Sequence, residues 1–162
     1  MKRILFLFLF ALAGFISNAQ EFNQSVGVRL GWSPGFEYRI FTDNANSYKF
    51  LLSTRDRGLQ LHLFKEFHQY DLFDFSDQLV FFYGAGVHAG YERWDVTHNN
   101  TQWVNTRSAL IAGLDGLVGI EYFFYDVPIS LGIEAKPYFE FFGQEMFDVQ
   151  LWDFAFTVKY LF

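Results

Sequence analysis

The sequence contains no cysteine and few basic residues. Without a thiol, the chain cannot hold a Cys-ligated zinc or iron–sulfur site, a disulfide framework or a cysteine nucleophile. Its 12 Lys and Arg residues against 18 Asp and Glu residues argue against a nucleic-acid binder, which needs a basic face. Beyond residue 16 there is no apolar run of 18 residues, so no later helix is expected to span a membrane.

Aromatic side chains are abundant. The 23 phenylalanines, nine tyrosines and four tryptophans make up 22% of the 162 residues, more than a soluble core of this size needs. Hydrophobic residues account for 51% and charged residues for 19%, which excludes a disordered chain. The length suits one domain.

The first 19 residues are predicted to be a secretory signal peptide. Lys2-Arg3 form a positive start, an unbroken apolar run follows from Ile4 to Ile16, and Ser17 and Ala19 supply small residues for cleavage. The apolar run is too short for a transmembrane helix, so a retained anchor helix is the alternative interpretation. Cleavage after Ala19 would leave residues 20–162 with 10 basic and 18 acidic residues, a formal charge of −8.

In residues 20–162 the apolar side chains recur with period two, which predicts β-strands. Eight such runs begin near residues 26, 36, 48, 59, 79, 113, 129 and 153. A strand that crosses a bilayer at a tilt needs about 9–11 residues. Each alternating run, counted with its flanking residues, has about this length. The eight runs predict an all-β fold. Their even number predicts an eight-stranded antiparallel up-and-down transmembrane β-barrel over residues 20–162.

The polar face of these runs carries glycine together with charges of both signs. In a membrane barrel the apolar face meets lipid and the polar face points inward, whereas a soluble barrel has the reverse arrangement. Eight strands leave an interior that side chains just fill, so we expect a plugged polar interior and no open channel. The predicted interior charge network consists of Arg29, Glu37, Arg39, Arg55, Glu66, His88, Glu92, Asp115, Glu121, Glu134, Lys136 and Lys159.

Aromatic rings are expected at the two membrane interfaces. With a periplasmic N-terminus, the outer ring would contain Trp32, Trp94 just after the fifth strand, and Trp152 at the start of the eighth. The ring at the periplasmic interface would contain Tyr122, Tyr160 and Phe162. The polar outer loop 95–106 is where a surface partner would bind, since surface loops carry function when a barrel has one.

Several segments carry a family resemblance. They are Thr54-Arg55-Asp56-Arg57-Gly58-Leu59, the strand Tyr83–His88, Gly113–Tyr122, Asp126–Leu131 with Lys136-Pro137, and the terminal Phe162 with Tyr160. With them the chain resembles small OmpA/OmpX-like outer-membrane β-barrel proteins of Bacteroidetes-type bacteria, without a peptidoglycan-binding domain. The resemblance implies the outer membrane of a Gram-negative bacterium, contact with outer-membrane lipid and lipopolysaccharide, and assembly through the C-terminal strand by the barrel-assembly machinery. Thr157 stands where that C-terminal signal often carries glycine.

The function favoured by the residues is non-enzymatic, structural or by surface contact, with no catalytic residue, metal or cofactor. Two alternatives stay open. Ser53 and His62 face inward on adjacent strands, which would suit a lipid A-modifying deacylase or acyltransferase, but no G-x-S-x-G motif accompanies them. The second alternative function is that of a soluble exported calycin-like lipid carrier. His88 near Glu92 could be read as a metal ligand, but no second histidine at spacing i, i+2 or i, i+4 supports zinc.

Overall fold

A computed structural model describes residues 22–55, 57–97, 104–142 and 147–162. The predicted signal peptide, residues 1–19, lies outside these ranges, as do residues 98–103 of the expected outer loop. In the described ranges no helix has the length and apolarity to cross a membrane.

Strands make up most of the described chain. They are β1 (Gln24–Gly31), β2 (Gly35–Asp43), β3 (Asn46–Arg55), β4 (Gly58–Gln69), β5 (Leu79–Thr97), β6 (Val104–Phe123), β7 (Ile129–Ala135), β8 (Tyr138–Glu140), β9 (Asp148–Gln150) and β10 (Phe154–Leu161). Together β7 and β8 form one barrel strand that is interrupted at Pro137, which has no N–H to donate. The neighbours stay bonded across the break, since Gly116 N donates to Pro137 O over 2.7 Å and Lys136 N to Asp153 O over 2.9 Å. Similarly, β9 and β10 form the eighth barrel strand.

The sheet is antiparallel throughout and closes on itself. Val28 of β1 lies opposite Phe36 of β2 on one side and Val158 of β10 on the other. The order continues from β2 through β6, and β7 joins β6 to β10. The predicted closed eight-stranded antiparallel barrel is thereby confirmed. We call the end that holds the start of β1 and the end of β10 the terminal end, and the opposite end the loop end.

One hairpin extends beyond the rim of the barrel. β5 has 19 residues and β6 has 20, whereas the pairing of β5 with β4 stops at Tyr91. The fifth strand was expected to end near this residue, but Asp95 still lies opposite Thr106. The two flanks of the expected 95–106 loop are therefore paired strand, because a hairpin keeps its ladder without a third strand beside it.

The two faces of the wall alternate residue by residue. Along β4, buried and exposed side chains alternate from Gly58 to Gln69, with one half-buried exception at Lys65. The interior also holds one cluster of four buried apolar side chains, which are Leu51, Phe64, Phe82 and Leu117. Gly119 makes room for one of these rings, because a Cβ there would lie 2.5 Å from Phe82 Cζ. Interior glycines thus accommodate aromatic rings as well as charged side chains.

Candidate functional site in the barrel interior

The interior face carries most of the charge of the described chain. Of the residues proposed from the sequence for the interior network, Arg55 is half-buried and the rest are buried, namely Arg29, Glu37, Arg39, Glu66, His88, Glu92, Asp115, Glu121, Glu134, Lys136 and Lys159. Lys49, which was not among them, is also wholly buried there. Its position could have been found from parity, because Lys49 shares the odd-numbered face of β3 with Ser53 and Arg55.

Seven of these side chains form what we call the central network. Its members are Arg39, Lys49 and Lys159 with Glu37, Glu66, Glu121 and Glu134. Each cation contacts at least two carboxylates, and each carboxylate contacts at least one cation. Burial of a charge is tolerated when the charge is paired in this way.

Arg39 and Lys49 illustrate the pairing. Arg39 Nη1 lies 2.7 Å from Glu121 Oε2, and its Nε lies 2.7 Å from Glu66 Oε2. Lys49 Nζ lies 2.6 Å from Glu134 Oε2. The guanidinium carbon of Arg39 also lies 5.3 Å from the ring centre of Phe82, a cation–π distance. The network and the apolar cluster therefore pack as one unit.

Arg29 connects the central network to the loop end. Its Nε lies 2.7 Å from Glu134 Oε1, and its Nη2 lies 3.1 Å from Asp153 Oδ1. Nη1 donates to the carbonyl oxygen of Ser33 over 2.6 Å, and Ser33 Oγ donates to Asp153. Lys136 Nζ contacts the same aspartate over 3.2 Å. This group ties the first turn of the barrel to the break in its eighth strand.

A second constellation, which we call the histidine cluster, consists of His62, His88 and Asp115. His62 Nδ1 lies 2.9 Å from Asp115 Oδ2, and His88 Nδ1 lies 2.9 Å from Asp115 Oδ1. The strand register brings them together, because His62 lies opposite His88 and His88 opposite Gly113. The spacing along the chain gave no sign of this cluster, since its members come from three different strands.

The hydroxyl of Ser53 completes a chain of contacts through His62. Ser53 Oγ lies 2.9 Å from His62 Nε2, and the other ring nitrogen faces Asp115. This connectivity is that of a Ser–His–Asp triad, in which the imidazole takes the hydroxyl proton and the carboxylate orients the ring. Ser53 and His62 are both wholly buried, so a large substrate has no direct approach to the hydroxyl.

The proposed interface aromatics fall into two groups. Trp32, Trp152 and Phe162 are exposed on the outer surface, and Tyr122 and Tyr160 are half-buried. The placement of Trp94 after the fifth strand is wrong. Trp94 lies within β5, opposite Arg107, on the strand face that continues the interior face through Glu92. The reason is the extended hairpin, which carries the alternation of β5 past the rim.

The expected partner loop can be described only in its flanks. Asp95 accepts a hydrogen bond from Thr106 Oγ1 over 3.0 Å and forms an ion pair with Arg57 of the neighbouring turn. Residues 98–103 lie outside the described residues. The surface-partner hypothesis for this loop stays a prediction.

Comparison with solved structures supports the fold. The chain is similar to the crystal structure of the N-terminal β-barrel domain of Pseudomonas aeruginosa OprF, with 14% sequence identity and a TM-score of 0.53. The match covers 88% of this chain and 100% of the other. No protein-family model and no curated protein matches the sequence. At this identity the likeness concerns the barrel architecture alone.

Proposed function

We propose that the chain is an integral outer-membrane β-barrel protein of a Gram-negative bacterium, with a plugged polar interior and a structural or surface-contact role that is not enzymatic. The observation that carries this proposal is the polarity of the barrel wall, which has apolar side chains on its outer face and charged side chains on its inner face. Ile133 is 65% exposed, whereas Glu134 beside it is 1% exposed. Leaving apolar side chains outside and charges inside is favourable only where the surroundings are apolar.

The extent of the outer surface supports the membrane assignment. Large apolar side chains are exposed on every barrel strand, among them Leu30, Phe36, Leu52, Leu61, Val87, Leu114, Ile133 and Phe156. Contiguous apolar surface of this extent marks contact with a membrane or a partner. A soluble calycin-like carrier would turn these side chains inward. The predicted signal peptide over residues 1–19 would provide export.

The plug is supported by the complete burial of the central network. Arg39, Lys49 and Lys159 occupy the cross-section together with the rings of Phe64 and Phe82. An eight-stranded barrel has an interior that side chains can just fill. Purified protein in a planar bilayer is expected to give no steady ion conductance. Conductance steps that persist at low voltage would contradict the plug.

Outer-membrane lipid and lipopolysaccharide are the proposed environment of the outer surface. Lys65, the one cation on the outer face of β4, lies 4.5 Å from the ring centre of Tyr48, near the terminal end. A lysine at that height can extend its amine to the head groups while its stem stays in the apolar layer. In this orientation the terminal end is periplasmic and the loop end faces outward.

The deciding experiment is separation of inner and outer membranes after expression of the full chain, followed by gel electrophoresis with and without heating. The expected result is recovery in the outer membrane, with a compact form that changes mobility only after boiling. Recovery in the soluble periplasm would refute the proposal and favour the carrier.

The C-terminal strand is the proposed signal for the barrel-assembly machinery. Phe162 is exposed, and its ring stacks on Tyr160 at a centroid distance of 6.2 Å. Replacement Phe162→Ala is expected to lower the amount of heat-modifiable barrel in the membrane. Phe154→Ala, at the other end of the same strand and also exposed, is the matched control. Equal losses in the two variants would contradict a special role for Phe162.

The alternative function is hydrolysis or acyl transfer by Ser53, and the triad-like contacts of His62 with Ser53 and Asp115 specifically favour it. A fluorophosphonate probe tests it, because the probe labels only an activated serine. We expect Ser53→Ala to leave the labelling of the protein unchanged. Ser47→Ala is the control, because Ser47 is another buried serine beside a histidine. Labelling lost only in Ser53→Ala, together with an altered lipid A profile, would overturn the non-enzymatic assignment.

A further inference from the structure

We propose that the histidine cluster binds one divalent first-row transition metal ion, with zinc as the best fit. His62, His88 and Asp115 each offer a ligand atom, and these atoms lie within 4.8 Å of one another. Two imidazoles and one carboxylate are a ligand set that zinc takes in proteins, with a fourth position left for water or another carboxylate.

The orientation of the rings supports coordination. Both Nδ1 atoms point to the same carboxylate, at 2.9 Å each, and to opposite oxygens of it. An ion held among the three groups would replace the two imidazole protons that bridge these contacts. Ligand atoms around tetrahedral zinc lie about 3.3 Å apart, given bonds of about 2.0 Å. Side-chain rotations that bring the ligand atoms, which lie up to 4.8 Å apart, to this separation would therefore close the site.

The remote ring nitrogens already face the partners that a zinc-bound histidine requires. A metal-ligating imidazole generally donates its other N–H to an oxygen, which fixes its tautomer and orientation. His62 Nε2 lies 2.9 Å from Ser53 Oγ. His88 Nε2 lies 3.6 Å from Glu140 Oε1 and has no hydrogen-bond partner although it is buried. Coordination at Nδ1 would make Nε2–H the donor toward Glu140.

The barrel also provides space and rigidity for the ring of His88. Gly113 lies opposite His88, and a Cβ there would lie 2.6 Å from Cε1 of the imidazole. The ring therefore occupies volume that any other residue at position 113 would take. All three ligands stand on neighbouring strands of a closed sheet, where geometry is held more precisely than on loops.

Carboxylates line the interior on the loop-end side of the histidine cluster. Glu140 lies opposite Gly113, which lies opposite His88, and the buried Glu92 lies further along β5 toward the loop end. Arg55, which pairs with Glu140 over 3.3 Å, is 18% exposed, so solvent reaches this layer. An ion that enters from the loop end meets carboxylate oxygen before it reaches the imidazoles.

The test is metal titration of the full chain, folded in detergent and stripped with a chelator. Zinc should bind with one equivalent per barrel, and cobalt(II) should develop the visible absorption of a low-symmetry nitrogen and oxygen site. Ser53→Ala should weaken binding by about 10–100-fold, as expected for the partner of a ligand. His88→Gln, which removes a ligand, should weaken it further. His68→Gln is the control, because His68 is a buried histidine outside the cluster.

Two outcomes would overturn the site. One is stoichiometric binding that survives in His88→Gln, or that is lost in the control His68→Gln instead. The other is an absence of binding in the unsubstituted protein. If His88→Gln fails to give the heat-modifiable form, X-ray absorption on the zinc-loaded unsubstituted barrel decides. Scattering from two imidazoles supports the site, and a shell without imidazole contradicts it.

Discussion

The inner and outer faces of the barrel wall are built from alternate residues of the same strands, yet their chemistry is opposite. On β7, Ile133 projects outward and is 65% exposed, whereas Glu134 projects inward and forms ion pairs with Arg29 and Lys49. In water this arrangement would cost free energy on both faces, through exposed apolar surface and buried charge. The comparison teaches that the period-two pattern alone does not say which face is the core. The pairing of the charges does.

The largest expected effect comes from breaking a pair on the inner face. Arg39→Met removes one of the two cations that contact each of Glu66 and Glu121, and leaves the central network with two lysines against four buried carboxylates. We expect the free energy of unfolding to fall by about 3–5 kcal/mol, the cost of a buried charge without its partner. Reversible urea unfolding in phospholipid vesicles measures it. The double variant Arg39→Met with Glu66→Gln should lose less than the sum of the single losses, because the two groups are in contact.

The outer face is tested by introducing a charge. Ile133→Arg places a guanidinium midway along the seventh barrel strand, where a loss of about 2–4 kcal/mol is expected if the residue faces the bilayer midplane. The matched control is Tyr125→Arg in the turn between β6 and β7, where Tyr125 is 73% exposed and the cost should be about 0–1 kcal/mol. Equal losses at the two positions in vesicles would contradict the proposed lipid contact.

A pair of glycines on β6 compares the two faces on a single strand. At Gly113 on the inner face, a Cβ would meet Phe139 O at 2.0 Å, so Gly113→Ala should cost about 1–3 kcal/mol. At Gly116 on the outer face the nearest atom is Pro137 Cγ at 3.1 Å, and Gly116→Ala should stay within about 0.5 kcal/mol. Thermal unfolding in detergent resolves this difference. A larger loss at Gly116 than at Gly113 would contradict the tighter packing of the inner face.

The smallest effect is expected beyond the rim. The ion pair with Arg57 lowers the pKa of Asp95, and Thr106 adds a second hydrogen bond. A carboxyl group whose pKa is lowered by folding stabilises the fold fully above its ordinary pKa, and this contribution is lost as the pH falls from the ordinary pKa through the lowered one. Arg57→Met should therefore lower the urea midpoint slightly at neutral pH and not at all in acid, with salt reducing the difference. A large shift that is independent of pH would assign this pair a structural role.

Much of the fold followed from local pattern. Alternation is a property of neighbouring residues, so the eight barrel strands and the sides of Arg29, Glu121 and Lys159 could be inferred without knowing any pairing. The length of the β5–β6 hairpin could not. Polar residues near Asp95 are typical of a loop, but a two-stranded ladder above the rim needs no apolar face. The error in placing Trp94 has the same cause.

The histidine cluster shows the limit of this reasoning. His62, His88 and Asp115 are 26 and 27 residues apart along the chain, so no short motif contains them. They meet because β4, β5 and β6 pair in a particular register, with His62 opposite His88. Parity predicts that all three face inward, but only the register brings them to the same height. The contact of Ser53 with His62 across one hairpin could be anticipated because that register follows from a short turn.

The most direct measurement of the central claim uses the absence of cysteine, since any introduced thiol is then unique. Four variants, Leu59→Cys, Leu61→Cys, Leu63→Cys and Phe67→Cys, place one thiol each along the outer face of β4. Labelled with an environment-sensitive fluorophore in vesicles of lipids brominated at known depths, they should be quenched by the acyl chains. The quenching depth should be greatest at the middle positions and shallower at both ends. Aqueous emission and no quenching at all four positions would contradict an outer face that contacts lipid.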